Sequence, residues 1–173
     1  MRFWWLSFFL LLLGCGREPL VQSQSYVFGT LVDISIYGES EAHAHEVSNI
    51  VFQDFQRLHQ QYHAWQKGSE LYALNEAFSK GKTIQVSPEL REMLQEASAL
   101  SMQSDGLFNP ALGQLIRAWG FQRDEFTPID IQPDAIKKMV NAKPTMADIV
   151  ITGDKVHSKN PAVQLDLGGY AKG

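Results

Sequence analysis

The residues with the clearest chemical potential lie in one short stretch, residues 166–173, which reads Asp-Leu-Gly-Gly-Tyr-Ala-Lys-Gly. Asp166 supplies a carboxylate, Lys172 supplies an ammonium group, and Gly168 and Gly169 leave the main chain between them bare. Bare backbone can approach a ligand closely, and an acid with a lysine could serve a metal ion and a phosphate together. The same glycine pair is also typical of a strand-to-helix turn that needs glycine for its geometry alone.

A second group with chemical potential surrounds Trp65, which lies in a loop that ends at Gly68. Its indole could plug the core or offer a flat surface on which a ring stacks. His59 and His63 are four positions apart, so a helix would bring their imidazoles together. No acidic ligand follows at a zinc-like spacing, and we therefore interpret them as surface histidines rather than as a zinc site.

Hydrophobic patterns predict the elements that position these residues. Period-two alternation indicates a strand over residues 26–37, which Gly29 and Thr30 interrupt as a bulge or a point of ligand approach. A helix from residue 40 to about 61 carries apolar residues at spacings of three and four. Further helices are predicted after Ser69, Ser87 and Pro133 and over residues 111–119, with strands over 83–86, 147–151, 155–157 and 162–165. This mixture places the chain in the α+β class.

Composition bounds the function. The 173 residues are 45% hydrophobic and 11% aromatic, which is typical of a globular protein with a real core. The net charge is −4 and no basic run follows residue 20, which argues against nucleic acid as a partner. A phosphorylated small ligand is compatible with this charge if a metal ion supplies much of the positive charge.

The N-terminus reads as an export signal. A basic start is followed by a run over residues 3–13 that is apolar except for Ser7 and is too short for an ordinary membrane-spanning helix. The run leads into Leu-Leu-Gly-Cys, similar to a bacterial lipobox, so Cys15, the only cysteine, is the predicted lipidation site. A stray buried cysteine is the alternative. We expect a signal peptide over 1–14, a polar tether over 15–25 and a domain over 26–173. The product would be periplasmic and anchored by palmitate-type acylation to the outer membrane, which Gly16 favours, or to the inner membrane.

Five blocks agree in order with one family. The lipobox, Phe28-Gly29-Thr30 and the stretches 65–75, 104–121 and 166–173 together resemble the ApbE-type FAD:protein FMN transferases. Residues 115–121, Leu-Ile-Arg-Ala-Trp-Gly-Phe, are similar to the family's Leu…Trp-Gly-Phe segment, and residues 166–173 to its Asp-Leu-Gly-Gly-x-Ala-Lys-Gly signature. The resemblance implies part of a flavin-transferase (T-fold-like) domain that lacks its C-terminal half.

The resemblance also implies an activity. A magnesium-dependent enzyme would split FAD, attach FMN through a phosphoester to a threonine of a flavoprotein, such as a membrane redox complex subunit, and release AMP. The acceptor supplies the nucleophile, and we assign no catalytic residue within this chain. By the same resemblance, Mg²⁺ would take a backbone oxygen at Gly169. FAD contacts would come from Phe28, Trp65, Leu107, Phe108, Asn109, Asp166 and Lys172.

Three departures qualify the expectation. The family usually has Met at the position of Phe28, and both side chains are large and apolar. It usually has Asp where this chain has Asn109, so the side chain at this position lacks the negative charge that a base or metal partner would use. Members are also longer, and their second half supplies an Asp…Asp-Thr metal cluster. We therefore interpret the chain as a fragment of a longer gene product or a truncated form, and expect that it does not transfer FMN by itself.

Two other functions fit the same sequence. The first is a periplasmic lipoprotein that binds or hydrolyses FAD without modifying a protein. The second is a non-enzymatic binding or scaffold lipoprotein, for which FAD would not stabilise the fold.

Overall fold

A computed structural model describes residues 18–123, 129 and 131–170 of the chain. The chain divides into two compact units, residues 1–56 and 57–173, and each is described by itself. No helix among the described residues has both the length and the apolar character needed to cross a membrane.

The first unit is built on a β-hairpin. Strands β1 (Leu20–Val27) and β2 (Thr30–Tyr37) pair antiparallel, with Val27 opposite Thr30. The turn between them consists of Phe28 and Gly29, whose φ angles of 57° and 73° both lie in the left-handed region. Two such residues make a type I′ turn, which matches the right-handed twist of the flanking strands.

The hairpin differs from the sequence predictions in two respects. Gly29 lies in the turn itself and Thr30 begins β2, so neither forms a bulge within one long strand. Residues 20–25, expected to belong to the tether, form most of β1. Polar cross-strand pairs stabilise this strand, since Gln24 Nε2 donates to Asp33 Oδ1 at 2.6 Å, and such pairs give no apolar alternation in the sequence.

Helix α1 (Glu41–Tyr62) follows the hairpin, as the spacing of apolar residues predicts. Ser40 Oγ accepts a hydrogen bond from the main-chain N–H of His43 at 3.3 Å, which satisfies one free donor of the first turn. Within the first unit, the ring of Phe55 on this helix lies 5.8 Å from the ring of Phe28, measured between centroids.

The second unit combines helices with a small antiparallel sheet. The sheet consists of β3 (Ile84–Gln85), β4 (Ile149–Thr152) and β5 (Lys155–Ser158) in the order β3-β5-β4, so β5 lies between the other two. The hairpin predicted around Thr152-Gly153-Asp154 is present, and Gly153 has the positive φ of 62° that its turn requires. In chain order the elements are α2 (Glu70–Ser79), β3 (Ile84–Gln85), α3 (Pro88–Gln103), α4 (Gly113–Ala118), α5 (Pro133–Asn141), a 3-10 turn (Met146–Asp148), β4 (Ile149–Thr152) and β5 (Lys155–Ser158).

The predicted caps start the two helices that build the core. Ser69 Oγ accepts from the N–H of Tyr72 at 3.0 Å, and Ser87 Oγ accepts from the N–H of Leu90 at 3.2 Å. Glu70 connects the first turns of α2 and α3, because its carboxylate accepts hydrogen bonds from both the N–H and the hydroxyl of Ser87. The fully buried side chains around them include Leu71, Leu74, Phe78, Leu90, Leu94, Val156 and Leu165.

The strand predicted over residues 162–165 is only partly realised. This extended segment makes a single parallel bridge, between Gln164 and Leu112. Its partner turns into α4 directly afterwards, at Gly113, so the ladder of main-chain hydrogen bonds cannot lengthen on that side.

Candidate functional site

The segment that leads to Asp166 is held by the residues before α4. Gln164 N–H donates to Ala111 O at 3.3 Å, Gly113 N–H donates to Gln164 O at 2.7 Å, and Asp166 N–H donates to Pro110 O at 3.0 Å. A Cβ at Gly113 would lie only 2.6 Å from Gln164 O. Glycine is therefore required at this position by the close approach of two main chains.

The opposite edge of this segment is held by a side chain of α2. Asn75 Nδ2 donates to Leu165 O at 2.9 Å, and Asn75 Oδ1 accepts from Leu165 N–H at 2.7 Å. Both residues are buried, with Asn75 6% exposed and Leu165 0% exposed. Asn75 is not among the site residues predicted from the sequence. The one available signal was a polar residue on the apolar face of a helix, next to Leu71 and Leu74.

The loop that carries Trp65 is fixed at its base by His63. Nδ1 of that imidazole accepts from the N–H groups of Trp65 and Gln66, each at 3.1 Å, and is therefore unprotonated. Ser69 Oγ donates to His63 O at 2.5 Å and ties the loop to the start of α2. The rings of His63 and His59 lie close together, as their spacing predicts, with centroids 5.0 Å apart. The hydrogen bonds of His63 hold the Trp65 loop, so it is more than a surface histidine.

Trp65 and Asp166 meet. The indole Nε1–H of Trp65 donates to Asp166 Oδ2 at 3.2 Å, while Asp166 Oδ1 accepts from the N–H of Gly168 at 2.8 Å. Both side chains are half-buried. Trp65 also packs against the core cluster, as the core-plug interpretation expects, and part of its ring is accessible. The stacking role stays a prediction.

The two glycines after Asp166 have different surroundings. A Cβ on Gly168 would lie 3.0 Å from Asp166 Oδ1, so a side chain there would disturb the carboxylate. A Cβ on Gly169 would meet no atom within 4 Å, and this glycine is exposed. Neither residue has a positive φ. Open space above the main chain, rather than an unusual backbone angle, is what distinguishes Gly169.

Tyr170 fastens the end of the described segment to α3. Its hydroxyl donates to the carboxylate of Glu96, and this hydrogen bond raises the pKa of Tyr170 above its ordinary value. The phenol therefore stays protonated, and stays a donor, throughout the neutral range.

The three residues at 107–109 that were predicted to contact FAD have different surroundings. Leu107 is 92% exposed, whereas Phe108 packs partly against the core. Asn109 is engaged in holding the chain: its Oδ1 accepts from Ala111 N–H at 3.1 Å and its Nδ2 donates to Pro144 O at 2.9 Å. A carboxylate could not donate that second hydrogen bond, so the departure from the family's Asp has a structural counterpart here.

A cleft of about 400 Å³ opens beside Trp65. Its walls come from α2, from α4 and from the segment before Asp166. The side chains that line it include Trp65, Tyr72, Asn75, Arg117, Gln122 and Gln164. Its volume lies within the range of small-molecule sites, and its aromatic and amide groups suit a planar ligand with several hydrogen-bonding atoms.

The remaining predicted site residues lie outside the described part of this unit. Phe28 belongs to the first unit, in the hairpin turn. Lys172 and Cys15 lie outside the described residues. The ligand roles assigned to all these side chains, and to the main chain of Gly169, stay predictions.

The described residues contain no group of three or more His, Cys, Asp or Glu side chains that could hold a metal ion. Gly169 offers an accessible main chain, and Asp166 already accepts two hydrogen bonds. This part of the chain therefore fits a shared Mg²⁺ site at most, in which it supplies one or two oxygens and substrate phosphates supply others.

Comparisons with known proteins identify the family of this α+β chain. Residues 28–173 match the profile of the ApbE family. The chain belongs to the ApbE family, which confirms the family predicted from the sequence.

Relatives and a solved structure agree with this assignment. The chain is 44% identical over 156 residues to an FAD:protein FMN transferase of Rhodobacter capsulatus, covering 90% of this chain and 29% of that protein. It is 29% identical to an FAD:protein FMN transferase of Treponema pallidum, covering 92% of this chain and 46% of that protein. The fold matches an ApbE protein of Thermotoga maritima with a TM-score of 0.75 at 22% identity, covering 90% of this chain and 49% of that one.

These matches confirm the predicted fold class, mixed helices and strands in a partial domain. The chain spans between about a third and a half of the length of the proteins it matches.

Proposed function

We propose that this chain forms the FAD-binding part of a flavin transferase that moves FMN from FAD to a threonine of an acceptor flavoprotein. The phosphoester forms at the threonine hydroxyl as the FAD diphosphate bond breaks, and AMP leaves. The observation that carries the proposal is the hydrogen bond between Trp65 and Asp166, three positions before the open main chain of Gly169. Membership of the ApbE family, whose relatives are named FAD:protein FMN transferases, supports it.

The residues divide the work of binding a dinucleotide. The half-buried indole of Trp65, beside a cleft of about 400 Å³, offers a face to a planar ring. Gly169 lets a phosphate or its counter-ion approach the main chain, because no side chain shields it. Hydrogen bonds from the N–H groups of Trp65 and Gly168 hold the negatively charged carboxylate of Asp166 in place at the start of the Asp-Leu-Gly-Gly turn.

Magnesium is part of the proposal. The main chain at Gly169 would supply one oxygen, with further ligands from the FAD diphosphate and from outside the described residues. When bound, the ion would draw negative charge from the diphosphate and from the departing AMP. The chain's own task is then to present bare backbone and to orient Asp166 beside it.

The test separates binding from transfer. FAD should raise the unfolding temperature of the chain, and the increase should be lost in Asp166→Ala. Transfer should be assayed with FAD, Mg²⁺ and a threonine-containing acceptor, both for this chain and for the longest gene product that contains it. AMP together with a fluorescent acceptor band indicates a transferase. Free FMN with AMP indicates an FAD-hydrolysing lipoprotein, and no thermal shift with FAD indicates a scaffold lipoprotein.

The acceptor and the location complete the proposal. We propose a flavoprotein of a membrane redox complex as acceptor, reached by an enzyme anchored through acylated Cys15 on the periplasmic side of a bacterial membrane. The apolar run that precedes Leu-Leu-Gly-Cys supports the anchor, and the family's acceptor chemistry supports the partner.

A further inference from the structure

The amide of Asn75, a residue that also lines the cleft, is occupied by main chain. Its amide makes two hydrogen bonds to the N–H and C=O of Leu165, at 2.7 and 2.9 Å. Leu165 is 0% exposed, so water cannot replace either bond. A buried asparagine that satisfies a main-chain donor and acceptor at once takes the place of a neighbouring strand.

The two edges of the segment are served by different partners. In extended chain, successive residues direct their N–H and C=O groups to opposite sides. Gln164 and Asp166 bond to residues 110–113, and Leu165 between them bonds to Asn75. The segment is thus held from both sides although it belongs to no sheet with two neighbours.

One peptide unit is fixed at both ends by this arrangement. The C=O of Leu165 accepts from Asn75 Nδ2, and the N–H of Asp166 in the same peptide plane donates to Pro110 O at 3.0 Å. That plane sets the direction in which the Asp166 side chain leaves the main chain. The direction matters, because Asp166 Oδ2 lies 3.2 Å from the indole nitrogen of Trp65.

The same helix serves the other partner. Asn75 lies on α2, and the first turn of α2 is capped by Ser69, whose hydroxyl also holds the base of the Trp65 loop through His63 O. A single rigid helix therefore determines the positions of both the donor and the acceptor of the Trp65–Asp166 hydrogen bond.

We propose that Asn75 is a positioning residue of the FAD site, which fixes the peptide unit before Asp166 and so holds that carboxylate against Trp65. The inference rests on the proposed function, since it matters for FAD only if Trp65 and Asp166 contact that ligand. Asn75 itself does not carry out chemistry.

The primary test reads the Trp65–Asp166 hydrogen bond without any ligand. In ¹⁵N-labelled chain, the Trp65 indole N–H signal is identified by its loss in Trp65→Phe, and Asp166→Ala gives its position without the hydrogen bond. Asn75→Ala should move the signal toward the Asp166→Ala position. The indole signal of Trp119, which is 57% exposed, should stay in place and report an intact fold.

Asn160→Ala is the matched control. Asn160 also clamps main chain, donating from Nδ2 to Ala142 O at 2.9 Å and accepting at Oδ1 from Ala162 N–H at 3.0 Å. Loss of a comparable clamp should leave the Trp65 signal unchanged. For FAD, we expect the Kd to rise about tenfold in Asn75→Ala and less than about twofold in Asn160→Ala.

The outcomes are decisive in each case. A folded Asn75→Ala with the wild-type Trp65 signal would overturn the proposal, as would rapid hydrogen exchange of the Leu165 amide in the wild type. If Asn75→Ala does not fold, Asn75→Asp keeps the acceptor for Leu165 N–H but sets an oxygen against Leu165 O. It should shift the Trp65 signal part of the way, and no shift would again overturn the proposal. If the wild type binds no FAD, the proposed function fails while the indole signal still decides the role of Asn75.

Discussion

The indole N–H of Trp65 reaches the carboxylate of Asp166 at 3.2 Å, although 101 positions separate the two residues in the chain. This hydrogen bond joins the loop before α2 to the glycine turn at the end of the described chain. It makes the two residues one unit, so the chemistry proposed for either depends on the position of the other.

Trp65→Phe separates the ring of Trp65 from its N–H group. Phenylalanine keeps a stacking face but cannot donate to Asp166, so the FAD Kd should rise about fivefold, as expected for one hydrogen bond. Trp65→Ala also removes the ring and should raise the Kd by about a further tenfold. Titration of FAD fluorescence measures both, with Trp119→Phe as the control. An unchanged Kd in Trp65→Phe would show that the hydrogen bond does not shape the site.

Gly168→Ala and Gly169→Ala form a matched pair. At Gly169 a methyl group meets open space, so the free energy of unfolding should stay within about 0.5 kcal/mol of wild type while FAD affinity falls. At Gly168 the methyl group crowds Asp166 Oδ1, so the protein should lose about 1–2 kcal/mol and bind FAD less well. Urea unfolding and FAD titration test the pair. Wild-type affinity in Gly169→Ala would remove the close-approach role of that residue.

Gly113→Ala should destabilise the fold despite a better helix propensity. Replacing glycine by alanine in a helix ordinarily stabilises it by up to about 1 kcal/mol. Here the Cβ would lie 2.6 Å from Gln164 O, and relief of the clash would disturb the 2.7 Å hydrogen bond between them. We expect a loss of about 1–3 kcal/mol in urea unfolding. Gly169→Ala is the control, and a stabilised Gly113→Ala would contradict the close approach.

Asn109→Asp restores the residue usual in the family but removes a donor. At neutral pH the introduced carboxylate would face Pro144 O without a proton between them, which should cost about 1–3 kcal/mol. A protonated carboxyl can donate to Pro144 O, so folding favours the acid form and raises the pKa of the introduced group. The variant should therefore recover stability as the pH falls, and lose it as the pH rises through that raised pKa. Urea unfolding of both proteins at several pH values tests this, and an equal deficit at all pH values would refute it.

Cys15→Ala tests the proposed anchor. Without the thiol the chain cannot be acylated, so it should leave the membrane fraction and no longer incorporate labelled palmitate. Fractionation of cells that express each form measures this. Unchanged membrane association of Cys15→Ala would remove the lipid anchor from the proposal.

The sequence was sufficient to predict features formed by residues that are close together in the chain. Ser69 and Ser87 cap the helices they were expected to start, and Gly153 turns the predicted hairpin. Each depends on residues within four positions, so propensity and spacing predict it.

The interactions that build the site are not local, and the sequence did not show them. Asn75 and Leu165 are 90 positions apart, and nothing in the pattern of α2 indicates that its buried amide meets main chain. Residues 20–25 of β1 were missed because Gln22 pairs with Ser35 and Gln24 with Asp33 across the hairpin, in place of apolar side chains. The sequence predicts a surface histidine at His63, whereas in the structure its ring accepts two main-chain N–H groups. The motif around Asp166 was visible, but its dependence on Asn75 and Trp65 required the fold.

The alternating attachment of residues 164–166 makes the spacing within this segment more critical than the spacing before it. A residue added between Leu165 and Asp166 would turn the main chain of Asp166 towards α2 and away from residues 110–113, because N–H and C=O groups alternate between the two edges of extended chain. A residue added between Ser158 and Ala162, where Lys159 and Pro161 are exposed, can be taken up by the loop without moving the segment. The tolerance of the chain to insertions should therefore change sharply within a few positions.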